Sequence, residues 1–531
     1  MAAAQCASQH GERRNLGQHS PWRRRRHRPK HSCRHGLFGR RHRSGKRKTL
    51  ARSAERSWHG RHSTCRCWLR HSYRRRRKAR RSLADARAMK SFFAEQAWLG
   101  GESCAANVRI TTDKGVFVSI DANSTPNNKD TRVKGVVMPG FVNAHSHAFH
   151  RALRGRTHSG AGLGDFWSWR TLMYQVANRL TPENYLALAT ATFSEMALAG
   201  ITTVGEFHYV HNQQNGQQYA DPNEMGKVLI EAARRAGIRI ALLDVAYLHG
   251  GLKSQPLAGE QQRFGDGSVE NWLARVDALG SPTPMHTFGL APHSVRAVHE
   301  KELALIAKHR KNRVVHIHVS EQPAENEACR QATGRTPTQL LSDAQLLGSF
   351  TTAVHATHLQ SADISLLGQS KTFACFCPTT ERDLADGIGP SESLVGSGSP
   401  LCLGTDSHAV IDMFEEARAV EMNQRLITNK RGIHRSSDLL SAATNNGASS
   451  LGSKKHGFVA GAPADFISVS TNSVRLATFD PENGAAHLVH SATGSDVCSV
   501  WVGGEQIVSD HEHRTLPNIN ESLRNAIEAV I

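Results

Sequence analysis

Two histidines, His145 and His147, follow the apolar run Val137-Met138-Pro139-Gly140-Phe141-Val142-Asn143-Ala144. On a strand, residues two apart point to the same side, so both imidazoles can reach one ion. Further metal-binding side chains end other apolar runs far downstream: His318 and Glu321 in Val314-Val315-His316-Ile317-His318-Val319-Ser320-Glu321, His355 after Ala353-Val354, and Asp406 after Leu403-Gly404-Thr405. An isolated pair of histidines is more often surface than site. The ordered set H-x-H, H-x-x-E, H and D, each at the end of an apolar run, points to a metal centre. His145, His147, His318 and Asp406 offer three nitrogens and one oxygen, a set suited to one Zn²⁺ with water in the open position. Zinc held this way lowers the pKa of its water toward neutrality, which is hydrolytic chemistry. Glu321, three residues past His318, is placed to shuttle that water's proton. His316 is expected to point away from His318 and pack outward; His358 takes no role.

Positioning such a set takes several parallel strands. Eight apolar runs alternate with helical patterns: 136–147, 201–209, 238–248, 286–293, 313–321, 351–359, 372–379 and 401–408. The helices are expected in the gaps, for example 182–199, 223–236, 269–278, 299–308 and 338–347. Eight such repeats predict an α/β fold, a closed (β/α)8 TIM-type barrel over 141–456, whose sites form at the carboxyl ends of the strands. Every candidate ligand falls at such an end. The flanks 89–140 and 457–531 carry short alternating strands and turn-formers. Neither can bury a core alone, so they are expected to pair into one small β-sandwich-like domain. The Gly- and Gln-rich segment 249–268 reads as a long loop, which is either an active-site cover or surface variation.

The net charge of +20 over 531 residues is unevenly spread. Residues 1–88 hold 28 arginines and lysines against three acids; the rest of the chain holds 38 bases against 43 acids. With runs such as Arg23 to Arg26 and no helical or strand period, the leader is expected to be disordered. It reads as a nucleic-acid-binding arm, a transit peptide or the product of a mis-set start codon; the last is adopted, with Met89 as the start. No nucleic-acid role is expected for the folded body. The ten cysteines form no disulfide framework or CxxC pattern, and no run approaches the roughly 18–20 apolar residues of a membrane span, which predicts a cytoplasmic protein with no membrane partner.

The motifs Pro139-Gly140-Phe141-Val142-Asn143-Ala144-His145-Ser146-His147, His316-Ile317-His318-Val319-Ser320-Glu321, Val354-His355-Ala356-Thr357-His358, Gly404-Thr405-Asp406-Ser407 and Gly461-Ala462-Pro463-Ala464-Asp465-Phe466 resemble the amidohydrolase superfamily of metal-dependent hydrolases and deaminases. Within it the chain is most similar to the formimidoylglutamate deiminase group of histidine degradation. That likeness rests on the segments His145 to Leu153, Phe166-Trp167-Ser168-Trp169-Arg170 with Met173-Tyr174, Gly205 to His211 and Ala291 to Arg296. Two-metal relatives add a bridging lysine at a strand end; the runs 238–248 and 286–293 contain none, which favours one metal. The resemblance implies that Glu321 takes a proton from water and delivers protons to the departing nitrogen. It also implies that His355 and Asp406 hydrogen-bond the attacking water and the tetrahedral centre, and that a homodimer forms.

Arg170, Arg296, Tyr209 and His293 suit a small dicarboxylate, because arginine forks grip carboxylates bidentately. His150 stands where the group carries glutamine; it keeps a hydrogen-bond donor. The expected reaction is hydrolysis of N-formimidoyl-L-glutamate to N-formyl-L-glutamate and ammonia. A heteroaromatic ring deaminase or chlorohydrolase is the alternative within the superfamily. A nucleic-acid-binding protein acting through the leader is a more distant one.

Overall fold

The computed structural model describes residues 89–157 and 166–531. The leader 1–88, and with it the expected disorder and start site, lies outside the described residues.

Eight parallel strands form the barrel: β5 (Phe141–Ser146), β6 (Ile201–His208), β7 (Arg239–Ala246), β8 (His286–Pro292), β9 (Val315–Val319), β10 (Thr351–His355), β11 (Phe373–Phe376) and β12 (Leu401–Leu403). They hydrogen-bond in sequence order from β5 to β12. β9 and β10 are buried at every residue, as strands covered on both faces must be. The helices between them start and stop on local signals. Pro182–Leu198 opens with a capping box between Thr181 and Asn184 and a proline in its first turn, and Glu224–Ala236 ends at Gly237 with φ 76°. The helix expected over 338–347 is shorter, Pro337–Asp343, because Thr336 caps it and the chain leaves helical geometry by Ala344.

The barrel closes between β12 and β5 through few atoms. The Asp406 N–H donates to the His145 carbonyl at 3.0 Å, and the His147 N–H donates to the Asp406 carbonyl at 3.1 Å. Just below, Asn143 bridges the seam with its side chain: its Nδ2 donates to Thr405 Oγ1 at 2.7 Å and its Oδ1 accepts the Thr405 N–H at 3.0 Å. A Cβ on Gly404 would lie 2.7 Å from the His145 carbonyl oxygen and 2.9 Å from its nitrogen, so this close approach requires glycine.

The flanks do combine, but as one mixed sheet rather than two layers. Its strands are β1 (Lys90–Ala97), β2 (Ala105–Asp113), β3 (Val116–Asp121), β4 (Thr131–Pro139), β13 (Phe466–Val469), β14 (Val497–Val502), β15 (Glu505–Ser509) and β16 (Glu512–His513), in the order β16-β15-β14-β13-β4-β1-β2-β3. The sheet curls until edge strand β3 meets the segment entering β13: the Phe117 N–H donates to the Ala462 carbonyl at 2.9 Å. Phe92, Phe117, Phe466 and Trp501 pack inside the curl, with Phe466 stacked on Trp501 at 4.6 Å. Asp465 ties this sheet to the barrel by a bidentate pair with Arg239 at 2.6 and 2.9 Å. Among the described residues no helix is long and apolar enough to cross a membrane.

Gly404→Ala forces atoms apart at the seam. It is expected to destabilise the fold by about 1–3 kcal/mol, the usual cost of overpacking, read as a lower urea midpoint. An unchanged midpoint would mean that the seam is not tight.

Candidate metal centre and pocket

The same seam delivers the candidate ligands. His145 Nε2 lies 3.2 Å from His318 Nε2 and 3.4 Å from Asp406 Oδ1; His147 Nε2 lies 3.3 Å from that same oxygen. Zinc–nitrogen and zinc–oxygen bonds of about 2.0–2.2 Å in a tetrahedron put ligand atoms about 3.3–3.5 Å apart, which these three separations match, and ring nitrogens of His145, His147 and His318 all lie within 4.8 Å of one another. Two rings are locked by their other nitrogen. His147 Nδ1 donates to the Phe207 carbonyl at 2.9 Å and His318 Nδ1 to the His293 carbonyl at 3.1 Å, which leaves each Nε2 lone pair free for a metal. Burial keeps all three imidazoles neutral, pushing His145 down to about 3. Burial works against the charge on Asp406, but its contacts with His145 and His147 outweigh it and hold the carboxyl below its usual range. Neutral nitrogens and an ionised oxygen are the forms that bind metal.

The turn between the two histidines has its own support. Ser146 Oγ donates to Glu206 at 2.6 Å, and the other Glu206 oxygen accepts the Ala148 N–H at 2.7 Å. His408 bridges Ser146 Oγ and Thr405 Oγ1 at 3.3 and 2.9 Å. Ser320, His355, Ala356, Asp406 and His408 all have φ between 41° and 68°, a left-handed conformation that L-residues with side chains adopt only where the surroundings impose it. All five lie just past β9, β10 or β12 or at the end of β10, so the strain is concentrated at the site.

Glu321 and His355 face each other beside the ligands, Oε1 to Nε2 3.8 Å. Burial alone would lower His355, but Glu321, Glu381 and Asp406 outweigh it and push it up to about 10. Glu381 lies 3.5 Å from His355 Nδ1 and is itself fixed by the Cys377 N–H at 2.9 Å. His316 is not directed away from the site. β9 runs unbroken beside β10, so residues two apart share a face; His316 sits below His318, buried, its Nε2 3.0 Å from the Ser450 carbonyl. His358 holds the Asp386 carbonyl at 2.6 Å.

Of the eleven candidate residues, ten line one cavity of about 600 Å³, and the eleventh, His145, lies buried directly beneath it. His150 Nε2 meets the Tyr209 hydroxyl at 2.8 Å. Arg170 donates from Nε and Nη2 to the Tyr174 hydroxyl at 2.8 and 2.5 Å. His293 packs against Tyr247, ring centroids 4.6 Å apart. Arg296 lies between two carboxylates, Glu321 at 3.8 Å and Glu325 at 3.5 Å. The segment 249–255 and Phe264 also line the cavity, which makes the long loop part of its wall. The sequence places Tyr174 only among the residues of the family likeness, with no role in the site, and does not single out Tyr247, Glu206, Glu325 and Glu381. Tyr247 follows the end of β7 and Glu206 lies near the end of β6, so both could have been found by the strand-end rule; Glu325 and Glu381 carry no such signal.

Residues 136–507 match the amidohydrolase family. A formimidoylglutamate deiminase from Pseudomonas aeruginosa is 36% identical over 438 residues, covering 80% of this chain and 96% of that enzyme. An 8-oxoguanine deaminase from the same organism is 30% identical over 389 residues, covering 71% and 82%. The crystal structure of an amidohydrolase from Brucella melitensis superposes with a TM-score of 0.76 at 31% identity, covering 83% of this chain and 99% of that one. On sequence, on fold and on the ligand set at its strand ends, the chain belongs to the amidohydrolase family.

Proposed function

We propose that the chain hydrolyses N-formimidoyl-L-glutamate to N-formyl-L-glutamate and ammonia, with one Zn²⁺ held by His145, His147, His318 and Asp406. The observation that carries this reading is that three of the four candidate metal ligands, a carboxylate acid–base candidate and two arginines line a single cavity, with His145 buried beneath it. The 36% identity to a formimidoylglutamate deiminase supports the same substrate. When bound, the ion supplies Lewis acidity that makes a water nucleophilic near neutral pH.

The chain's own residues do the rest. Glu321 accepts the proton of the attacking water as the carbon–oxygen bond forms at the formimidoyl carbon. It delivers that proton to the terminal formimidoyl nitrogen, and as the bond from carbon to that nitrogen breaks, the remaining hydroxyl proton of the tetrahedral centre passes by way of Glu321 to the same nitrogen, leaving the formyl C=O and ammonia. His355, facing both Glu321 and Asp406, hydrogen-bonds the developing tetrahedral centre. Arg170 and Arg296 take the two carboxylates, with Tyr209, His293 and His150 completing the walls. A second reading, deamination of a heteroaromatic ring, draws on the aromatic lining of Trp169, Tyr209, Tyr247 and Phe264 and on the similarity to an 8-oxoguanine deaminase.

Substitutions separate the parts. Asp406→Ala is expected to remove both bound metal and ammonia release. Glu321→Gln should keep the metal and lower kcat by about 10²–10⁴, the usual contribution of a general acid–base. Arg170→Ala and Arg296→Ala should each raise KM for N-formimidoyl-L-glutamate about 10–100-fold, the worth of a charge-assisted bond of about 1.5–3 kcal/mol. Turnover of a neutral ring amine that is indifferent to both arginines would support the ring-deaminase reading instead.

A further inference from the structure

Glu325 has no part in the chemistry described so far, yet its carboxylate lies between two groups that do. It occupies the first turn of the helix Pro323–Thr333, four residues after Glu321, and its side chain is 1% exposed. One oxygen, Oε2, accepts the backbone N–H of Glu321 at 3.1 Å. The other, Oε1, has no hydrogen-bond partner and lies 3.5 Å from Nε of Arg296. Burying a carboxylate oxygen without a hydrogen bond is costly unless a charge faces it. The only cation paired with it among the described residues is the Arg296 guanidinium.

Arginine presents its donors on a rigid planar fork. Arg296 turns its Nε edge toward Glu325 and toward Ser294 Oγ, 3.4 Å away, while one terminal nitrogen, Nη2, lies 3.8 Å from Glu321. With Nε committed to the protein, the edge formed by Nη1 and Nη2 is the one left to a ligand in the cavity that Arg296 lines. A bidentate grip on a carboxylate needs that edge held at a fixed angle. The Arg296 side chain is 25% exposed and has several rotatable bonds, so something must hold it.

We infer that Glu325 is a positioning residue for substrate specificity: its Oε1 fixes the Arg296 fork that binds a substrate carboxylate, while its Oε2 independently anchors the backbone of Glu321. This rests on the carboxylate-binding role given to Arg296 above. The two oxygens therefore do separable jobs, one expressed in substrate affinity and the other in the chemical step.

Glu325→Gln and Glu325→Ala tell the jobs apart. Glutamine keeps an acceptor for the Glu321 N–H and loses the charge facing Arg296. KM for N-formimidoyl-L-glutamate should rise about tenfold, with kcat within about threefold and metal content unchanged, as expected for one weakened charge-assisted bond. Alanine should raise KM similarly and also lower kcat about tenfold or more, through the displaced Glu321. In an Arg296→Ala background, Glu325→Gln should add less than about twofold to KM, because the two residues act as a unit. The same variants are to be measured for calorimetric binding of glutarate, a dicarboxylate that cannot react; Glu325→Gln should weaken it about tenfold. That result would uphold the inference even if the chain failed to turn over the amidine, a failure that would overturn only the substrate assignment. Unchanged glutarate binding in Glu325→Gln, or an equal rise in KM with and without Arg296, would overturn the inference.

Discussion

The backbone hydrogen bonds between β5 and the turn after β12 are the constraint on which the rest depends. The atoms that close the barrel belong to the residues that are the candidate metal ligands: the His145 carbonyl, the Asp406 N–H and carbonyl, and the His147 N–H. Closure and ligand convergence are therefore one event. A chain that leaves the seam open also leaves its histidines and its aspartate apart. The glycine at 404 and the side-chain bridge from Asn143 to Thr405 serve this one approach. Left-handed backbone at Asp406 and His408 is sustained because the hydrogen bonds around them over-determine it.

Charge is distributed by the same economy of contacts. Inside the cavity each buried ionised group faces an opposite one or a potential ligand: His355 among Glu321, Glu381 and Asp406, and Arg296 between Glu321 and Glu325. Such pairing is what a low-dielectric pocket demands. It also links the chemistry to recognition, because Glu321 touches both His355 and Arg296. Under the proposed roles, a carboxylate that draws on Arg296 would change the surroundings of Glu321, coupling binding to catalysis through one side chain.

The candidate ligands were legible because each one ends an apolar run, and the carboxyl end of a barrel strand is where side chains reach a shared centre. His145, His147, His318 and Asp406 needed no partner information beyond that rule, and the eight runs match β5 to β12 in order. The contacts of the glutamates that hold the site were not legible. Glu206 reaches Ser146 across 60 residues of chain and Glu381 reaches His355 across 26, and nothing in their local sequence marks the contact. Asn143 and Thr405 are 262 residues apart and meet only when the barrel closes. His316 reads wrongly if the two-residue period is applied to the pair at 145 and 147 but not to the pair at 316 and 318. The flanks combined as expected, but the curl of a single sheet follows from tertiary pairing of β3 with the approach to β13, and alternation of residues cannot announce it.

The central claim is that one ion sits where the seam brings four ligand atoms together. Anomalous diffraction at the zinc edge tests it most directly, on crystals of the protein purified without added chelator. A single peak within about 2.0–2.2 Å of the three Nε2 atoms and of an Asp406 oxygen is expected. A second peak of similar height in the same cavity, or one peak held by other residues, would contradict it.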